Sequence, residues 1–461
     1  MRYSEFMQSV RHYPPTALLP FLAGYSAERE RASTVADAGQ WLPWAVTAIA
    51  KESTLRGNEH RHGRIDSEGL ARLVRQFMLT DHVNADQSLA SIMTPMMYEQ
   101  MPDQEPPFAE MARTHALLVH TDPGQSRIPW EEEFGIGLDA AMRASYILHA
   151  WVVFNRGRFD ADILDMPHFQ SFYDDAAPRS DIEATAKALT ADISSLRAAR
   201  SRADDKVRVP LERERYGFNP LRAHPLVDLG SHGTWAPQAK LVSRALLGSN
   251  LFYRGLDRWG KGFADDLGPR TQHYVGRHLK LLGEERIHAE IEYSKAQHSI
   301  DWIWVSDEAV ILVECKAARL SLDAQAGGAS LGESMERYIG AARRQIDRTA
   351  ALLRDEHPAF GRIPKDRPVV GMVTTAEPFY LADTPFSGFT STGIVPATTL
   401  SLRDIEALVT LPEPQAAALI LEHAHPDGLG GRFGGPALDE ARTRGNPILE
   451  DAFHHYDLLS E

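Results

Sequence analysis

The chain has 461 residues, 43% hydrophobic and 24% charged, with a net charge of −14. These values exclude a disordered or collagen-like chain and fit a globular protein of two or more domains. The acidity argues against indiscriminate nucleic-acid binding but allows a focused cleft. One cysteine cannot form an internal disulfide, and no CxxC offers zinc ligands. With no apolar leader and no run of membrane-spanning length, the expectation is a cytoplasmic protein with no membrane partner.

Taken in chain order, residues 1–205 read as an all-helical domain. Residues 40–51, 67–78, 107–119 and 140–153 carry apolar positions at helical spacing, interrupted by MPDQEPP at 101–107 and DPGQSRIP at 122–129. The aromatic-rich stretch Trp151 to Phe172 reads as core in preference to a recognition surface. Residues 181–205, charged and alanine-rich, read as one long connecting helix. From Val207 the Asn219-Pro220 and His224-Pro225 pairs disfavour helix, which predicts an extended segment wrapped around the next domain. That domain is placed at 206–420, with a helical or irregular tail at 421–461. GLGGRFGGP at 428–436 lacks the Lys-Ser/Thr ending of a phosphate loop and reads as a loop. The histidine pairs 60/62, 423/425 and 454/455 lack thiol or carboxylate partners at metal-ligand spacing and read as surface residues.

Within 206–420, apolar spacing predicts a helix over 269–282, ended by Gly283, and a strand over 286–293. Period-2 alternation then predicts two strands, 299–305 and 309–317, joined through Ser306-Asp307-Glu308. Their faces carry Trp302, Trp304, Ile311 and Val313 on one side and Ile303, Val305, Val310 and Leu312 on the other. A hairpin apolar on both faces belongs in the middle of a covered sheet. A second helix over 331–353 and a short apolar strand over 368–374 complete the pattern.

The hairpin carries the candidate chemistry. A register centred on the turn sets Asp301 across from Glu314, with Cβ atoms roughly 5 Å apart. Two like charges so close destabilise a sheet, and a divalent cation between them removes that penalty. Lys316 projects from the same face as Glu314, and Cys315 from the other. Only nine of the 49 basic residues are lysines, so one placed two positions after a strand Glu is a specific signal. Hard oxygen donors suit Mg²⁺ or Mn²⁺. Gln345 lies at the edge of the apolar stripe of the second helix. Residues 337–367 hold eight basic against four acidic residues, a local excess able to hold phosphates.

Asp301, Glu314-Cys315-Lys316 and the order helix, three strands, helix, strand resemble the PD-(D/E)XK nuclease superfamily, whose fold is the restriction-endonuclease-like core. The resemblance implies an α/β nuclease domain that hydrolyses DNA phosphodiesters with Mg²⁺. It assigns Asp301, Glu314, Lys316 and Gln345 to catalysis and Asp301, Glu314 and the Cys315 backbone carbonyl to the metal. It also implies a setting in bacterial restriction, antiviral defence or repair, with the helical domain binding a target, a partner protein or a second copy. Many relatives carry a further Glu on the first helix. Here that place holds Gln272 and His273, with Glu290 and Glu292 as substitutes. An inactive nucleic-acid-binding or scaffold protein of the same fold stays open, as does an activity residing in the helical half.

Overall fold

The computed structural model describes residues 1–32, 42–80, 88–104, 107–121, 125–166, 177–207, 209–384, 393–425 and 433–456. It is a mixed α/β molecule with a helical N-terminal region. That region contains α1 (Tyr3–Val10), α2 (Pro15–Glu30), α3 (Pro43–Arg56), α4 (Ser67–Met78), α5 (Leu89–Gln100), α6 (Pro107–Thr114), α7 (Glu131–Phe134), α8 (Leu138–Phe154), α9 (Arg179–Leu189) and α10 (Ile193–Lys206). Beyond it come α11 (Lys240–Arg244), α12 (Gly248–Trp259), α13 (Lys261–Leu279), α14 (Leu322–Gln325), α15 (Ser330–Met335), α16 (Ala341–Arg354), α17 (Leu402–Leu408), α18 (Glu413–Ala424), α19 (Pro436–Ala441) and α20 (Pro447–His454). No described helix is long and apolar enough to cross a membrane.

The strand-forming residues build two larger sheets and a small hairpin. β1 (Arg158–Phe159), β2 (Thr190–Asp192), β3 (Leu226–Asp228) and β4 (Thr234–Trp235) form one sheet, in the order β1-β4-β3-β2. β5 (Ile287–Ala289), β8 (Trp302–Val305), β9 (Val310–Lys316), β10 (Val369–Thr375) and β11 (Ala397–Ser401) form the other, in the order β11-β10-β9-β8-β5. β6 (Glu292–Ser294) and β7 (Gln297–His298) pair only with each other. In the five-stranded sheet β5, β8 and β9 run antiparallel, whereas β10 and β11 lie parallel to β9. Its two faces are covered by different cores. Trp304, Ile311 and Val313 join Tyr274 and Val275 of α13. Ile303, Val310 and Leu312 join Ile339, Ala342 and Ile346 around α16.

Several expectations are corrected. The expected single helix over 181–205 is broken at Thr190, which is extended, and Asp192 caps a fresh helix by accepting from the Ser195 amide. Pairing of β2 with β3 outweighs the helix propensity of the alanine-rich sequence. The helix expected to start at Pro269 starts at Lys261 and runs through the proline, held there by buried Leu267, Arg270, Thr271 and Tyr274. The strand expected over 286–293 stops at Ala289 and restarts at Glu292, where Ile291 donates to Ser299 Oγ. The helix expected over 331–353 contains a π-turn at Glu336–Gly340.

The segment after Val207 packs against the N-terminal helices, not around the five-stranded sheet. Buried Lys51 of α3 donates to the Glu214 and Arg215 carbonyls, each at 2.9 Å, and Leu221, Val227 and Leu229 join the core of α1–α4. The largest core also passes position 206. It holds Met111, Leu148 and Leu189 from before it with Trp304, Met372 and Ile405 from after it. Part of the Trp151–Phe172 stretch and most of GLGGRFGGP lie outside the described residues. Within the first, Trp151 is buried and Phe154 exposed.

Candidate metal and phosphate centre

The centre is built where β8 begins. Trp302 pairs with Val313 and Val305 with Val310, so the ladder carried one residue further sets Asp301 opposite Glu314. β8 itself starts only after Asp301, which leaves the Cys315 amide without a strand partner on that side. The Asp301 carboxylate takes that place, with Oδ2 accepting from Cys315 N at 2.6 Å. The N–H and C=O of one strand residue leave by the same edge, so the Cys315 carbonyl also faces the open end beyond β8. Cys315 packs its side chain against the opposite core, and burial pushes its thiol pKa well up, which removes it as a nucleophile.

Glu314 is 3% exposed. Its Oε1 accepts from Lys316 Nζ at 2.6 Å, whereas Oε2 is buried without a hydrogen-bond partner. Lys316 Nζ also donates to Gln345 Oε1 at 2.8 Å, which joins β9 to α16. One helical turn beyond Gln345, buried Thr349 accepts from Ile300 N at 3.2 Å and fixes α16 to the residue before Asp301. The structure therefore brings Asp301, Glu314, Lys316 and Gln345 together on one face. Burial pushes the Glu314 pKa up to about 7, and the charge of Asp301 adds to the rise. Asp301 is raised as well, by burial first and by Glu290 among the nearby charges. An unpartnered buried oxygen beside a second acid is an expensive arrangement for a sheet alone. A small hard cation would satisfy it, and the oxygen donors present fit one. Asp301, Glu314 and the Cys315 carbonyl would hold it.

The acids elsewhere separate into near and remote. The β5–β8 pairing of Ala289 with Trp302, carried one step, places Glu290 beside Asp301. Glu290 lies 3.4 Å from His298 Nδ1. Glu292 instead accepts from Ala296 N at 3.1 Å and belongs to the β6–β7 turn. Gln272 presents its main-chain carbonyl to the Trp302 indole at 2.9 Å, on the face opposite the acids. Among the described residues no group of three or more His, Cys, Asp or Glu has metal-holding geometry. Helical spacing places Thr349 one turn from Gln345, but sequence alone assigned it no role; its bond to Ile300 N supplies one. Comparison with protein-family models, curated proteins and solved structures finds no match to this chain.

Proposed function

We propose that the chain is a Mg²⁺- or Mn²⁺-dependent nuclease that hydrolyses DNA phosphodiesters on a restriction-endonuclease-like core. The observation that carries this reading is the buried, unpartnered Oε2 of Glu314 beside Asp301, on the face where Lys316 meets Gln345. The order α13, β5, β8, β9, α16, β10 supports the same core. When bound, the cation supplies Lewis acidity and makes its water more acidic. Lys316, already held by two acceptors, neutralises charge gathering on the phosphoryl oxygens. Gln345, fixed to Lys316, orients the attacking water or the scissile phosphate. Hydrolysis makes one P–O bond to water and breaks one to the leaving sugar oxygen, which leaves with a proton. A setting in bacterial restriction, antiviral defence or repair accords with a helical region large enough to read a target or partner.

Supercoiled, linear and single-stranded DNA with Mg²⁺ or Mn²⁺ test the reading. Wild type cuts at least one form, Asp301→Ala cuts none, and Lys316→Ala loses at least about 10²-fold in rate while keeping a metal-induced rise in Tm. Lys316→Ala cutting at the wild-type rate overturns the role of the lysine. The two-carboxylate donor set favours a second reading, a non-cleaving DNA-binding protein of the same fold. It predicts DNA binding without cleavage under every metal.

A further inference from the structure

β7 ends at His298 and β8 starts at Trp302, so Ser299, Ile300 and Asp301 belong to neither strand. Ser299 and Ile300 are nonetheless buried, at 5% and 0% exposure, and a buried amide or carbonyl without a partner is costly. Two hydroxyls take the place of a strand neighbour. Thr349 Oγ1 of α16 accepts from Ile300 N at 3.2 Å. Ser299 Oγ donates to the Ile300 carbonyl at 2.9 Å and accepts from Ile291 N at 2.8 Å. That carbonyl belongs to the peptide that joins Ile300 to Asp301, so the residue before Asp301 is tied to side chains on both its N–H and its C=O.

Thr349 is the one polar residue on the buried face of α16, beside Ala342, Ile346 and Leu353. The helix itself gains nothing from a β-branched hydroxyl residue there. What the hydroxyl does is close a ring. Asp301 Oδ2 accepts from Cys315 N at 2.6 Å, and next along β9 Lys316 Nζ donates to Gln345 Oε1 at 2.8 Å. One turn further along α16, Thr349 returns to Ile300, which is bonded to Asp301. Lys316 Nζ also ties Glu314 Oε1 into the ring at 2.6 Å. In a closed ring no member shifts alone, so the spacing of the Asp301 carboxylate, the Lys316 ammonium and the Gln345 amide is set by all these contacts together. Without the Thr349 hydroxyl, only apolar packing opposes a slip of α16 past the approach to β8.

We propose that Thr349 and Ser299 are positioning residues of the metal centre, which act by fixing Asp301 against Lys316 and Gln345. The proposal rests on the reading of Asp301 and Glu314 as metal ligands, whereas DNA as the substrate does not enter it. Mn²⁺ affinity is measured from the free-ion EPR signal without DNA for wild type, Thr349→Val, Thr349→Ser and Ser299→Ala, and kcat and KM on the DNA form that wild type cuts. Thr349→Val keeps the shape of the side chain and loses the hydroxyl. Its Mn²⁺ affinity is expected to fall about 10–100-fold, the range for groups that orient metal ligands, and kcat to fall with KM for DNA unchanged. Thr349→Ser is expected to restore both. Ser299→Ala acts on the same peptide, is expected to repeat the valine pattern, and carries the test if Thr349→Val does not fold. Wild-type Mn²⁺ affinity in the folded hydroxyl-free variants overturns the proposal. So does a serine variant as impaired as the valine one, which assigns the effect to volume, and so does a rise in KM in place of the fall in kcat. Mn²⁺ binding that weakens in Thr349→Val and recovers in Thr349→Ser, in a protein that cuts no DNA, keeps the positioning role and sinks the nuclease. Cleavage that depends on Lys316, with Thr349→Val as active and as tight for Mn²⁺ as wild type, does the reverse. A wild type that binds no Mn²⁺ sinks both.

Discussion

Glu314 shows how one side chain can be both a cost and a tool. With Oε2 unpartnered and Asp301 alongside, the ionised pair destabilises the metal-free fold, and a cation that binds only the native state adds stability by mass action. Mg²⁺ or Mn²⁺ is expected to raise the wild-type Tm. Glu314→Gln removes one of the two charges, so its Tm without metal equals or exceeds wild type, and the metal-induced rise disappears. Differential scanning fluorimetry across a Mn²⁺ titration reads both, and a variant that still responds to Mn²⁺ as wild type does shows that the ion sits elsewhere. The histidines provide a separate pH test. Burial holds His278 and His115 at about 4, below the ordinary value near 6.5. Between those pH values the unfolded chain binds more protons at these two histidines than the folded one, so their contribution to stability is complete above about pH 6.5 and falls as the pH drops toward 4, whereas Glu314, raised to about 7, works in the opposite direction. Urea midpoints at pH 7.5 and 5.0 are compared between wild type and His278→Gln, and the variant is expected to lose less stability between the two. An equal loss in the variant rules out His278 as a source.

At the scale of elements, two contacts decide how the layers fit. Gly276 of α13 lies so close to Trp302 that an added Cβ would overlap the indole. Gly276→Ala is therefore expected to cost about 1–3 kcal/mol by overpacking, read as a lowered urea midpoint. Arg113 of α6 holds the Glu406 carboxylate of α17 through two nitrogens, at 2.5 and 2.8 Å, and Tyr274 of α13 donates to the same group at 2.7 Å. Arg113→Ala leaves that buried acid poorly satisfied and is expected to cost about 3–5 kcal/mol. Arg344→Ala, which removes an exposed pair with Glu336, is expected to stay within about 0.5 kcal/mol. A similar loss in both would refute the distinction between buried and exposed pairs.

The hairpin was legible from sequence because alternation and a polar turn determine its register, and register determines which side chains share a face. Gln345 was legible because helical spacing put it at the border of an apolar stripe. Less legible were features set by distant partners. The pairing of Thr190–Asp192 with Leu226–Asp228 breaks a sequence of high helix propensity, and β11 joins β10 through residues far along the chain. Glu290 could be recognised only as one of two candidates, since the irregularity at Ile291 and Ser299 decides which acid neighbours Asp301.

For the whole molecule, the main consequence is that the core ignores the middle of the chain. Met111, Leu148 and Leu189 share it with the sheet, and the residues just after α20 are tied back to the π-turn His115–Val119 that follows α6, where His115 Nδ1 lies 2.7 Å from Tyr456 Oη. A fragment starting at residue 207 would expose the sheet side of that core. It is expected to give a broad, non-cooperative melt and to bind a hydrophobic dye, in contrast to the intact chain. A sharp transition in the fragment would show that the second half folds alone.

Asp301 closes the open end of β9 with the same carboxylate that faces Glu314. On the metal reading proposed above, a cation that takes Oδ2 would draw it away from the Cys315 amide, and loss of the ion would restore the seal. Deuterium uptake at that single amide should therefore report occupancy without any substrate, turning a structural cap into a gauge of the ion.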